Sequence, residues 1–250
     1  MQMPQEDAHI HKKRNWVATI VTLAVLGFLV FFTWRVLYFV DLIRTGQLDD
    51  EVVEQIRSFT PSASLATQPV PDGEFSVATI DDPFLGKKDS PLTIVEFADF
   101  GCPYSQEVSF TLRSLAAQYP NQIHYIYRDF PITEIHPIAQ KAAEAGQCAH
   151  EQGHFWAYHD KLYQNQVSLT EGRLYTFANE LNLDVDLFTS CLDTNKYEQE
   201  VLEDYRDGID AGVRGTPTFF INGNRVPGAV PKDVFESLIQ AVKQGQELRS

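Results

Sequence analysis

The chain has 250 residues, with 20 Lys and Arg against 34 Asp and Glu and a formal net charge of −14. Hydrophobic residues make up 44%, which excludes a disordered polymer. The first 40 residues hold four basic and two acidic side chains, so the other 210 hold 16 and 32, which excludes binding to a phosphate backbone or docking of the main domain on anionic lipid.

Residues 16–34 read WVATIVTLAVLGFLVFFTW, without a charge. At about 1.5 Å per residue the run spans roughly 28 Å, close to one hydrocarbon core. Trp16 and Trp34 fall where an interfacial aromatic belt lies, and Arg35 is near enough to one end to snorkel. A cleavable leader would have a shorter apolar region followed by small residues; here Tyr38-Phe39-Val40-Asp41 follows. The sequence therefore predicts a transmembrane anchor over 16–40. Lys12, Lys13 and Arg14 keep the preceding tail, 1–15, in the cytoplasm, and the rest lies outside. Residues 41–75 read as a juxtamembrane segment and tether. Leu48, Val52, Ile56 and Phe59 could line a short helix, though a plain spacer is the simpler reading. The Pro- and Ser-rich stretch 60–73 reaches up to about 40 Å when extended.

A globular domain follows over 76–250. Thr93–Phe97 is a short β-rich run, Pro103–Tyr119 has helical apolar spacing (Val108, Leu112, Leu115, Tyr119), and Ile123–Phe130 alternates as a strand. These three make a right-handed βαβ unit. Four helices follow within an insertion over 137–213, at 137–151, 155–164, 171–181 and 196–213, the last burying Tyr197, Val201, Tyr205 and Ile209. Thr218–Ile221 and Asn224–Val226 flank Asn222-Gly223, a two-residue hairpin turn, and a helix over 232–244 closes the chain. The predicted fold is α/β, a mixed sheet with helices on both faces.

The chemistry concentrates in FADFGCPYS, Phe97–Ser105. Cys102 stands where strand gives way to helix, with Pro103 at the first helical position. Free N–H groups and the positive dipole end there favour a thiolate. Ser105 is three residues on, facing back towards Cys102. Asp99, Pro103 and Tyr104 would form the rim. Together with VRGTPTFFING, Val213–Gly223, this stretch resembles the DsbA-like thiol–disulfide oxidoreductases of the thioredoxin fold. The resemblance runs from about Asp81 to Ala241 and takes in IYRDFPI (126–132), His136-Pro137 and EQGHFWAYHDKLY (151–163). It implies a thioredoxin-like sheet with a helical insertion and a cis Pro217 against Cys102. It also implies a Thr216 backbone that pairs with extended substrate, and Glu96 as a buried proton acceptor. The partners it implies are exported protein or peptide thiols and disulfides, and a membrane thiol oxidase or reductase. Nothing in it calls for a cofactor or metal.

Where that family has Cys-x-x-Cys, this chain has Cys102-Pro103-Tyr104-Ser105. A serine can neither ionise near neutral pH nor form a disulfide, so Cys102 could make a mixed disulfide that Ser105 cannot resolve. The remaining readings are isomerisation, reduction of mixed disulfides with a small thiol, or receipt of a disulfide from a partner. A redox-inactive peptide-binding or chaperone module is the alternative. Cys148 and Cys191 lie in the insertion, where some family members carry a structural disulfide. Two buried free thiols, or one of them resolving Cys102, are the other options. His150, His154 and His159 lack zinc spacing and read as surface or capping residues.

Overall fold

The computed structural model describes residues 22, 23, 27, 28, 31–34, 70, 71 and 73–245. The chain divides into two units, Met1–Phe59 and Thr60–Ser250. In the first, the described residues are helical, and among the described residues no helix is long and apolar enough to cross a membrane. Most of the expected anchor, the 47–59 helix and most of the tether lie outside the described residues.

The second unit carries β1 (Phe84–Gly86), β2 (Leu92–Ala98), α1 (Pro103–Gln118) and β3 (Ile123–Asp129). Next come α2 (Ala139–Glu151), α3 (Phe155–Gln164), α4 (Glu171–Glu180), α5 (Val185–Asp193) and α6 (Glu198–Asp210). The chain ends in β4 (Thr218–Ile221), β5 (Asn224–Pro227) and α7 (Lys232–Lys243). The sheet order is β1-β3-β2-β4-β5. Only β2 and β3 are parallel; β1–β3, β2–β4 and β4–β5 are antiparallel. β2 (LTIVEFA) is buried along almost its whole length, as a central strand between helical layers must be. Asn222 and Gly223 both have positive φ, 47° and 85°, the conformation that a tight type I′ hairpin demands.

One sheet face (Leu92, Ile94, Ile123, Tyr125, Phe219, Ile221) packs under α1 and α7. The other face (Val95, Phe97, Ile126, Phe220) packs with Phe130, Ala211 and Val213. The insertion builds its own core, which Ala98, Phe100 and Tyr127 join to the sheet. Three elements were not expected, one of them a single 3₁₀ turn at Gln166–Ser168. β1 is three residues long, too short for a periodic signal. α5 is announced by Asp184, whose side chain accepts from the Asp186 and Leu187 N–H groups.

α6 also departs from its apolar pattern. Of the four expected core residues only Val201 is fully buried; Tyr197, Tyr205 and Ile209 are half-buried. Gly208 and Asp204 take the other deep positions. A Cβ at Gly208 would come within 2.7 Å of the Phe130 ring, so glycine lets the helix approach. Asp204 is inside because Arg128 on β3 is inside. The Arg128 guanidinium bonds Asp204, Asp207 (2.9 Å) and the Val77 carbonyl (2.9 Å), and Asp82 lies at 3.4 Å. Removing Arg128 would leave the buried Asp82 and Asp204 carboxyls without their cation, so the cluster ties α6 and the 77–82 segment to the sheet.

Cys148 on α2 and Cys191 on α5 are disulfide-bonded, with their Cα atoms 5.9 Å apart. The bond closes a loop across 43 residues, for which the chain-entropy argument gives about 2–4 kcal/mol. Replacing both by serine should lower the urea-unfolding free energy by about that amount, with Cys102 still reactive in the folded protein.

Candidate active site

The site forms where β2 ends and α1 begins. Cys102 is the N-cap of α1 with extended backbone angles, and Pro103 occupies the first turn, where its missing N–H is no loss. The Cys102 side chain is free and only 6% exposed. Its Sγ–H donates to the Thr216 carbonyl at 3.2 Å. The Thr216–Pro217 peptide is cis. The strand-to-helix corner and the Gly-Thr-Pro loop, 114 residues apart in sequence, thus meet at one sulfur.

Ser105 is buried one turn into α1. Its Oγ accepts the Asp99 N–H at 3.5 Å, so the hydroxyl serves the loop backbone rather than the sulfur. Pro103 and Tyr104 are exposed, Tyr104 by 62%, and do form a rim. Asp99 does not: it is 1% exposed, beneath the loop. Its Oδ1 accepts the Gly101 N–H (2.6 Å) and its Oδ2 the Ile132 N–H (2.9 Å), and it is drawn inward by those donors. His136, expected only at the start of a helix, lies with Nδ1 2.8 Å from Asp99 Oδ2.

Sequence reasoning missed Gln166. Its side-chain amide donates to the carbonyls of Phe100 and Cys102, both at 2.9 Å, and pins the insertion to the thiol-bearing loop. A glutamine in a short 3₁₀ turn carries no signal that would reveal this. Cys148 and Cys191, bonded to each other, are not thiols that could resolve Cys102.

Glu96 is wholly buried on β2, with Oε2 accepting the Tyr125 hydroxyl at 2.5 Å and Oε1 without a partner. Burial pushes its pKa up to about 8, against the hydrogen bond from Tyr125. The expected proton acceptor therefore already holds a proton at neutral pH. The hydroxyl of buried Tyr163 donates to the Asp99 carbonyl at 3.4 Å, beneath the same loop. His159 is no surface residue; it is buried among Phe100, Tyr127 and Tyr163, and burial lowers its pKa. Among the described residues no group of three His, Cys, Asp or Glu side chains could hold a metal ion.

The family model described as Thioredoxin matches residues 78–241. The chain belongs to that family. The fold is shared with solved structures. BdbD from Bacillus subtilis superposes with a TM-score of 0.60 at 21% identity, covering 70% of this chain and 100% of its own. The thiol–disulfide exchange protein alpha-DsbA2 from Wolbachia pipientis gives 0.59 at 21% identity, covering 65% and 88%. Among curated relatives, Na(+)/H(+) antiporter NhaA 1 of Salinispora arenicola is 38% identical over 165 residues, 66% of this chain. The match spans only 25% of that much longer protein.

The Glu96 shift has a stability consequence. The folded protein binds a proton that the unfolded chain releases above the usual carboxylate range, so stability is fully present below that range and is lost as pH rises towards 8. Between pH 6.5 and 8 the urea-unfolding free energy should fall, Glu96 contributing about 1–2 kcal/mol, and Glu96→Gln should make the slope shallower without abolishing it, because burial raises Asp129 and Glu200 to about 7 and Asp204 to about 8 with the same sign. The window lies above the range in which buried His159 would act with the opposite sign.

Proposed function

We propose that this protein is an extracytoplasmic thiol–disulfide oxidoreductase, held at the membrane by residues 16–40, that works through Cys102 alone. The observation that carries the reading is the free Cys102 sulfur at the N-terminus of α1, against the Thr216 carbonyl of the Gly-Thr-Pro loop. The helix start supplies N–H groups and a dipole that stabilise a thiolate. On ionisation Cys102 ceases to donate, and the Thr216 carbonyl is released to pair with an extended peptide. A disulfide between Cys148 and Cys191 fits an oxidising compartment.

The reaction is disulfide exchange. The Cys102 thiolate attacks one sulfur of a substrate disulfide; that S–S bond breaks, the other substrate sulfur leaves as thiolate, and a mixed disulfide forms. A second thiol, from the substrate or from a small thiol, then attacks the mixed disulfide and returns Cys102 as thiolate. With the substrate's own thiol the net result is isomerisation without electron transfer; reduction takes two small thiols, the first attacking the Cys102 sulfur to release the substrate thiolate and the second freeing Cys102, so that the substrate is reduced and the two small thiols leave joined as a disulfide. Net oxidation by an internal dithiol is closed to this chain, because Ser105 has no sulfur. The electron partner, where one is needed, is a membrane thiol oxidase or reductase.

The wild type and two variants test this on scrambled ribonuclease and on insulin. Wild type should form a trappable mixed disulfide and speed refolding in the presence of a small thiol; Cys102→Ala should abolish both. Ser105→Cys should add net oxidation of a dithiol peptide, since position 105 lies one turn from Cys102 on α1. Activity unchanged in Cys102→Ala would end the enzyme reading. The serine also favours a second reading, a thioredoxin-fold module that holds extended peptides without redox chemistry. That reading expects suppression of aggregation that survives Cys102→Ala.

A further inference from the structure

One group of side chains near the sulfur is unused by this chemistry. The Asp99 carboxylate takes the Gly101 and Ile132 N–H groups and faces His136 Nδ1. With the carboxylate as acceptor, Nδ1 is the ring nitrogen that carries hydrogen. The Asp99 carbonyl accepts the Cys102 N–H at 2.9 Å. Gly101 backs directly onto the imidazole: a Cβ there would fall 2.4 Å from His136 Cβ and 2.5 Å from Cγ. Asp99 is therefore bonded to the two residues that end in the nucleophile, and His136 closes the space behind them. The ring is 20% exposed, so it stands at the edge of the site rather than in the core.

We infer that Asp99 and His136 form a positioning pair for Cys102. The carboxylate sets the corner between β2 and α1, and His136 sets the carboxylate. Together they hold Sγ at the helix start and against the Thr216 carbonyl. The carboxylate's bond to the Gly101 N–H and the contact of Gly101 with His136 put the pair against the residue that immediately precedes Cys102, where a change in either side chain is passed to the sulfur. For its substrate readout the inference rests on the exchange function proposed above; its alkylation readout needs only a thiol.

The test uses the full chain and three variants, His136→Ala, His136→Asn and Asp99→Asn. Second-order rates are measured for Cys102 with iodoacetamide and with a peptide disulfide, beside the urea midpoint. His136→Ala should slow both reactions about 10- to 100-fold, since small displacements of a reacting group are costly. His136→Asn should restore most of the rate, because its amide N–H stands where Nδ1–H stood. A lowered midpoint with unchanged rates overturns the inference, as does slowing that asparagine fails to rescue. Should His136→Ala not fold, Asp99→Asn decides. That change puts an amide where two donors need an acceptor, and an unchanged iodoacetamide rate again overturns the pair. If wild type forms no mixed disulfide, exchange is lost as the function, while the alkylation pattern still judges the pair.

Discussion

The structure turns on the corner between β2 and α1. A chain leaving a buried central strand for a helix must satisfy its backbone N–H groups without water. Asp99 does this from inside, taking the Gly101 N–H on its carboxylate and the Cys102 N–H on its carbonyl. Ser105 returns a bond to the Asp99 N–H, and Gln166 caps the Phe100 and Cys102 carbonyls from the insertion. Cys102 is thus placed by backbone that several separate elements hold. The parallel pairing of β2 with β3 makes the arrangement available, because it brings the Ile132 N–H beside the carboxylate.

Polar groups organise the interior to an unusual degree. Arg128 gathers three aspartates, Glu96 is paired with Tyr125, and Tyr127 with Tyr163. Buried groups of this kind stay only where partners are supplied, so each fixes the register of the elements it joins. The Arg128 cluster fastens the entry of the chain at 77–82 to α6. Glu96, wholly buried on β2, holds its proton at neutral pH and so adds no charge to the interior.

Much of this was legible in the sequence. The apolar spacing of α1, the β-rich runs of β2 and β3 and the Asn222-Gly223 turn are local signals, and each appears where expected. Cys102, Pro103 and the Gly-Thr-Pro loop were legible as motifs, and their meeting at one sulfur came from resemblance. What stayed hidden depends on contacts distant in sequence. Asp99 reads as a rim residue because its donors are the backbone of Gly101 and Ile132 and the ring of His136. Asp204 carries no local signal of burial because its partner Arg128 is 76 residues away. His159 and Gln166 are invisible for the same reason: a polar side chain looks exposed until its partner is in place.

The disulfide between Cys148 and Cys191 leaves Cys102 without a second thiol in its own chain. This governs the sulfur's fate under oxidant attack. In a dithiol site a sulfenic acid condenses with the neighbouring cysteine and is returned by ordinary reduction. Here such an oxidised sulfur must wait for a thiol from solution, exposed meanwhile to the next, irreversible step. The near-complete burial of Cys102 limits how often an oxidant reaches it. The same burial narrows the way in for a rescuing thiol, so recovery depends on the thiols around the protein rather than on the protein itself.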